Sequence, residues 1–272
     1  MTNTCKSNGI NIGYDDQGTG EPLILIMGLG APGYKWAPHI DAYKKHFRCI
    51  TIDNRGAGLS DRPILEAYTT DQMAEDAIGV MDELGIKSAH FHGISMGGAI
   101  SQKIAIRYPE RVRSLILTST FARMDPTFRR AIELLRDSCG QVDNMTLGRL
   151  CQWIIYSHRF INEHEDFILD SELKDKDDPY PMPVFAYKAQ CNACLMHDTV
   201  DDLHLIKAPT LIASGDSDGF ASVDVTMEMY NNIPDVSLYL CKDGGHVHHW
   251  EQLKSFNEIT LDFLLAHKTN EE

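Results

Sequence analysis

The sequence predicts an α/β fold, with a mostly parallel central sheet flanked by helices and interrupted by an inserted helical cap. Three observations predict it. Apolar runs bounded by turn residues alternate with segments of helical period, as successive βαβ units require. The alternation stops between Thr120 and Lys207, where helical patterns follow one another, and strand-like runs return after Lys207. Neither an internal repeat nor a low-complexity tract interrupts this order.

Taken in order, strands are expected at 10–14, 22–27, 49–52, 89–93, 114–118, 210–214 and 237–241. After Thr69, residues Met73, Ala77, Val80 and Leu84 share one helical face, and Thr69 with Gln72 can form a capping box. Ile100, Ile104 and Tyr108 repeat at four-residue spacing until Pro109 forbids continuation. Within the insertion, helical patterns cover 128–135 and 147–156, whereas 171–183, with three prolines and an alternating Lys/Asp run, reads as an exposed loop. A last helix presents Trp250, Leu253, Phe256, Ile259 and Phe263.

The chemistry centres on Gly93-Ile94-Ser95-Met96-Gly97, which follows a strand-like run and leads into a helical pattern. Strand, sharp turn and helix make a nucleophile elbow, in which the serine backbone is strained and its neighbours must be small. A serine hydroxyl is a poor nucleophile at neutral pH unless a base removes its proton. Of twelve histidines, His246 stands in a glycine turn, Gly244-Gly245-His246, after the final strand pattern, and is the expected general base. His248 and His249 read as polar residues leading into the last helix. The imidazole needs a carboxylate to hold its tautomer. Asp216 and Asp218, in the turn Gly215-Asp216-Ser217-Asp218, compete for that role. An oxyanion needs donors, and the amide of Met96 at the helix N-terminus is one; a second is expected from the loop after residue 27.

Over nearly its whole length the chain resembles the α/β-hydrolase superfamily, whose order of serine, acid and histidine is matched here by Ser95, Asp218 and His246. The resemblance implies the triad acid at the last position of the GxxD turn, hence Asp218, and the second oxyanion amide at Leu29 in Met27-Gly28-Leu29-Gly30. The family more often has His-Gly-x-x there and GxxDP at the acid turn, where this chain continues Gly219-Phe220. The segment from Asp53 through Asp61 is similar to the family's DxRGxGxSD loop, in which Asp53 and Arg55 tie loops together. Within the superfamily the motifs are most similar to small esterases and lactonases resembling 3-oxoadipate enol-lactonase.

A count of 25 basic against 39 acidic residues gives a net charge of −14, which repels nucleic acid and anionic lipid. The apolar run at 23–27 is too short to cross a bilayer, and the first residues carry no secretory signal pattern, so a cytoplasmic location is expected. Seven scattered cysteines suit free thiols in a reducing compartment, with Cys191 and Cys194 on one helix face. Trp153, Tyr156, Phe160, Phe185, Tyr187 and Met196 of the insertion read mainly as packing between helices, and His92 as a buried strand histidine.

The expectation is a core of residues 1–120 and 206–272 with a cap, or lid, at 121–205. Its function would be hydrolysis of a small-molecule carboxylic ester or lactone through a Ser-His-Asp triad and an acyl-enzyme. No metal, no organic cofactor, no nucleic acid and no membrane partner is expected, and the chain acts as a monomer or homodimer. Alternatives are carbon-carbon bond hydrolysis of a diketone, cofactor-free perhydrolysis, and a ligand-binding receptor with a vestigial triad.

Overall fold

The computed structural model describes residues 2–174 and 178–269. Among them, eight strands form one sheet in the order β1-β2-β4-β3-β5-β6-β7-β8. These are β1 (Thr2–Ser7), β2 (Ile10–Gln17), β3 (Glu21–Ile26), β4 (Phe47–Ile52), β5 (Ala89–Ile94), β6 (Val112–Thr118), β7 (Thr210–Gly215) and β8 (Val236–Cys241). The first two strands pair antiparallel, β2 pairs antiparallel with β4, and the remaining pairs are parallel. β1 is the strand that apolar patterning does not predict, because its residues are mostly polar. Its signal is the Asn8-Gly9 turn, whose φ angles of 48° and 82° suit a tight hairpin.

The helices are α1 (Ala37–Tyr43), α2 (Thr70–Glu83), α3 (Met96–Arg107), α4 (Pro126–Ser138), α5 (Asn144–Ile155), α6 (His158–Glu163), α7 (Glu165–Lys174), α8 (Val184–Met196), α9 (Val223–Asn232), α10 (His248–Glu251) and α11 (Leu253–Ala266). Five of them, α4 to α8, form the helical region inserted between β6 and β7. The capping box that starts α2 is complete, with Gln72 N donating to Thr69 Oγ1 at 3.0 Å and Thr69 N to Gln72 Oε1 at 3.1 Å. Neither α1 nor α9 is among the helices expected from sequence.

Two further expectations are corrected. The expected loop at 171–183 begins too early, because α7 runs to Lys174, tied to α5 by Arg149 on Glu172 and by Gln152 on Ser171. Residues 175–177 lie outside the described ones, and 178–183 form neither helix nor strand. The single C-terminal helix is broken at Gln252, whose φ of −125° and ψ of 46° separate α10 from α11.

Strand periodicity decides which helices each face meets. Ile24, Ile26, Phe91, Leu115 and Leu117 join the core shared with α2, α3 and the insertion. Leu23, Leu25, Ile116 and Leu211 face the opposite layer, with Trp36, Tyr43 and Leu264. Strand β3 thus reads as an unbroken apolar run because both its faces are covered. Each such fully buried aliphatic side chain contributes about 1.5–3 kcal/mol. The parallel strands all point one way, so the loops after β3, β5, β6, β7 and β8 gather at one rim. That rim carries the candidate site.

Candidate active site

Ser95 follows β5 directly and caps α3 with φ 54° and ψ −119°. A non-glycine residue in that region costs about 1–3 kcal/mol and persists only where its surroundings enforce it. Ser95 N donates to Thr118 O at 2.9 Å, and Thr120 Oγ1 donates to Ser95 O at 2.6 Å. The glycines around it are needed for close approach. A Cβ on Gly97 would meet the carbonyl oxygen of Ile26, and one on Gly98 would lie 2.6 Å from the Thr120 side chain.

Two acids were open to His246, and the chain's turn after β7 separates them. Asp218 meets His246 Nδ1 with Oδ2 at 2.8 Å and Oδ1 at 3.1 Å. Its side chain is wholly buried, and that of His246 is 6% exposed. The same Oδ1 accepts from Phe220 N at 2.7 Å and Ala221 N at 3.0 Å, so the carboxylate is held by its own loop. Asp216 is exposed and accepts from Ser217 Oγ. The Phe220 and Phe128 rings stand edge-on to the imidazole. Among the described residues no hydrogen bond joins His246 to Ser95 Oγ.

The amides of Leu29 and Met96 have no acceptor among the described residues. Met96 N is the first amide of α3, where unsatisfied donors and the helix dipole favour negative charge. Leu29 precedes Gly30, whose φ of 74° turns the loop, and Gly28 approaches the serine so closely that a Cβ there would lie 3.1 Å from Ser95 Cβ. Both amides therefore belong to segments that meet at the serine.

The insertion closes over this rim. Gln190 on α8 accepts from Gly30 N with Oε1 at 2.8 Å and donates Nε2 to Arg55 O at 2.9 Å. Tyr187 packs on Gly30, and Ala186 on Gly56. At the other end, Val247 N donates to Ile155 O at 3.2 Å, and Glu251 accepts from Ser157 N at 2.7 Å and Gly245 N at 3.0 Å. Gln190, Glu251, Ser157 and Thr120 escape sequence reasoning because their partners are remote in the chain. Glu251 alone carries a local signal, an acid placed among histidines and aromatics. A cleft of about 340 Å³ opens beside the acid turn, between Trp153, Tyr156 and Arg159 of the insertion and Ser217, Gly219 and Asp243.

The remaining residues find plain roles. His92 is buried on β5, bonded through Nε2 to Thr118 Oγ1 at 2.9 Å, and burial drives its pKa well down. His248 and His249 start α10 fully buried, rather than as a polar lead-in, because α11 folds back to place Phe256 against them. Cys191 and Cys194 are free and buried on α8, where desolvation raises both thiols, Cys194 to about 12. Trp153 and Met196 are exposed, at 63% and 55%, so they do not pack between helices. Asp53 and Arg55 tie loops as expected: Asp53 accepts from Gly33 N and Leu59 N, and Arg55 pairs with Asp76. Among the described residues no group of three His, Cys, Asp or Glu side chains is arranged to hold a metal ion, and no helix is long and apolar enough to cross a membrane.

Comparison with known proteins adds four observations. A family model described as alpha/beta hydrolase fold matches residues 21–253. A 2-hydroxy-6-oxononadienedioate/2-hydroxy-6-oxononatrienedioate hydrolase from Burkholderia vietnamiensis is 31% identical over 265 residues, covering 94% of this chain and 91% of the relative. The enol-lactonase of Burkholderia xenovorans LB400 superposes with a TM-score of 0.86 at 26% identity, covering 97% of this chain and all of that one (100%). A thermophilic esterase from Thermogutta terrifontis has the same fold, with a TM-score of 0.85 at 23% identity over 98% of this chain and 100% of that one.

Proposed function

The chain belongs to the alpha/beta hydrolase fold family, and from that premise we propose that it cleaves a small-molecule carboxylic ester or lactone through an acyl-enzyme on Ser95. The observation that carries this reading is the buried Asp218–His246 hydrogen bond at 2.8 Å, formed at the rim where Ser95 is held at φ 54°. With Nδ1 engaged by Asp218, Nε2 of His246 is the nitrogen left to take the Ser95 proton as the hydroxyl attacks. The oxyanion that develops is received by the Leu29 and Met96 amides, each worth about 10²–10³ in rate. His246 then protonates the leaving group and activates the water that releases the acid. In this reading residues 121–205 are the lid over a core of 1–120 and 206–272. Neither metal nor organic cofactor takes part, and the free thiols suit a cytoplasmic enzyme.

A second reading, carbon-carbon bond hydrolysis of a diketone, is favoured by the 31% identity to a hydrolase named for a 2-hydroxy-6-oxo dienedioate, whose 2-hydroxydiene is the enol form of a second ketone. The same base and amides would serve it, with the ketone oxygen in the oxyanion position.

The test compares wild type with Ser95→Ala on short p-nitrophenyl esters, small lactones and a 2-hydroxy-6-oxodienoate. Sustained ester or lactone turnover that the substitution removes supports the first reading. Turnover of the dienoate alone supports the second. Equal rates from both proteins on every substrate would take Ser95 out of the mechanism.

A further inference from the structure

The structure contains a bridge between the helical insertion and the loop that carries His246. Glu251, five residues beyond that histidine, turns its carboxylate back across the loop. Oε2 accepts from Gly245 N at 3.0 Å and from Ser157 Oγ at 3.1 Å, while Oε1 accepts from Ser157 N at 2.7 Å. Ser157 lies in the insertion, 94 residues away in the chain, and is 3% exposed. Its hydroxyl also accepts from Phe160 N at 3.1 Å as the cap of α6, which leaves the hydroxyl proton free to donate to Glu251. On the other side of the histidine, Val247 N donates to Ile155 O at 3.2 Å. The amides flanking His246 are therefore both occupied through this junction. Gly245 has no room for a side chain, since a Cβ would crowd Ser157 N and lie 2.7 Å from Ile155 O and from Glu251 Oε1.

We propose that Glu251 is a positioning residue that makes the placement of His246 depend on the docked insertion. One carboxylate serves three donors on two segments, and hydrogen bonds to a charged acceptor are roughly twice as strong as neutral ones. A lid swinging out at 155–157 would release both peptide groups beside the base, so residues 155–157 are the fixed edge of the insertion, and any opening for substrate occurs elsewhere. The inference rests on the reading of His246 as general base.

Glu251→Gln tests it with little change of shape, because a carboxamide turns one acceptor into a donor and sets N–H against N–H at Gly245 or Ser157. On an ester that wild type hydrolyses through Ser95, kcat is expected to fall ten- to hundredfold with KM within threefold, since binding surfaces are untouched. Adding Ser157→Ala to Glu251→Gln is expected to cost less than the product of the two single losses, because both act through one bridge. Arg149→Ala, which breaks an ion pair with Glu172 inside the insertion, serves as control and keeps wild-type kcat. Native-state hydrogen exchange provides the second readout: peptides covering 244–248 and 155–158 are expected to lose protection together in Glu251→Gln. Wild-type kcat and unchanged exchange in that variant would overturn the proposal. Absence of Ser95-dependent turnover in the wild type would instead sink the serine-hydrolase reading, and the exchange experiment would still decide whether the bridge holds the loop.

Discussion

Asp218 shows how much a single carboxylate's role depends on its own turn. Its Oδ1 is held by the Phe220 and Ala221 amides, and both its oxygens face His246 Nδ1. Asp218→Asn keeps an acceptor for the two amides but presents an N–H to the imidazole, which must then carry its proton on the other nitrogen. For a base that removes the serine proton this is the wrong tautomer. We expect kcat to fall by about 10³–10⁴ while the unfolding midpoint shifts little. Stopped-flow acylation and thermal unfolding on the same sample check both halves. Asp216 and Asp218 are indistinguishable from residue type and spacing alone, since both follow a strand within one turn. Only the folded turn shows that the first points to solvent and the second to the histidine. Ser95 differs, because the steric demands of an elbow are local and the small residues that meet them stand beside it in the chain.

Elements are joined by groups that strand and helix periodicity cannot reveal. The buried ion pair between Arg55, after β4, and Asp76, on α2, is bidentate at 2.7 and 2.8 Å, with side chains 4% and 3% exposed. Desolvating two charges costs several kcal/mol, so the pair adds little net stability, yet removing one partner strands the other. Asp76→Ala is expected to cost about 3–5 kcal/mol, measured as a lower urea midpoint at pH 7. An unchanged midpoint would mean that water reaches Arg55. At the same scale, β3 and α2 are readable because one needs only an apolar run and the other a capping box with a periodic face. Strand β1 and the break at Gln252 are less so. The first is a polar strand recruited by its hairpin partner, and the second arises where Glu251 is drawn to Ser157.

The whole molecule stores several neutral imidazoles in its interior. His39, His92, His248 and His249 cluster around Phe256, with His39 Nε2 3.1 Å from His249 Nδ1. Burial lowers His39 and His248 to about 4, His197 at the end of α8 to about 3, and His92 and His249 well below their ordinary value. A base whose folded pKa is depressed binds fewer protons folded than unfolded, so stability is complete above the unfolded value near ~6.5 and is lost as pH falls towards about 4. A depression from 6.5 to about 4 corresponds to roughly 3 kcal/mol once both values are passed. The urea midpoint is expected to hold from pH 8 to 7 and to drop steeply between pH 6 and 4.5. A flat profile would show that these imidazoles accept protons in the folded state. The sequence by itself determined the order of seven of the eight strands, the helices α2 and α3, the elbow at Ser95, the histidine turn and the presence of a helical insertion. Each of these follows from conformational preferences and apolar periodicity within about a dozen residues. Residue type leaves Asp216 and Asp218 open, the family resemblance implies Asp218, and the structure brings Asp218 to His246; only the tertiary structure decided how the insertion docks and that Gln190 and Glu251 hold the two loops beside the serine. Those contacts join residues 160 and 94 apart in the chain, and no local pattern encodes a partner that arrives only when the sheet closes its order and the insertion folds back over the rim.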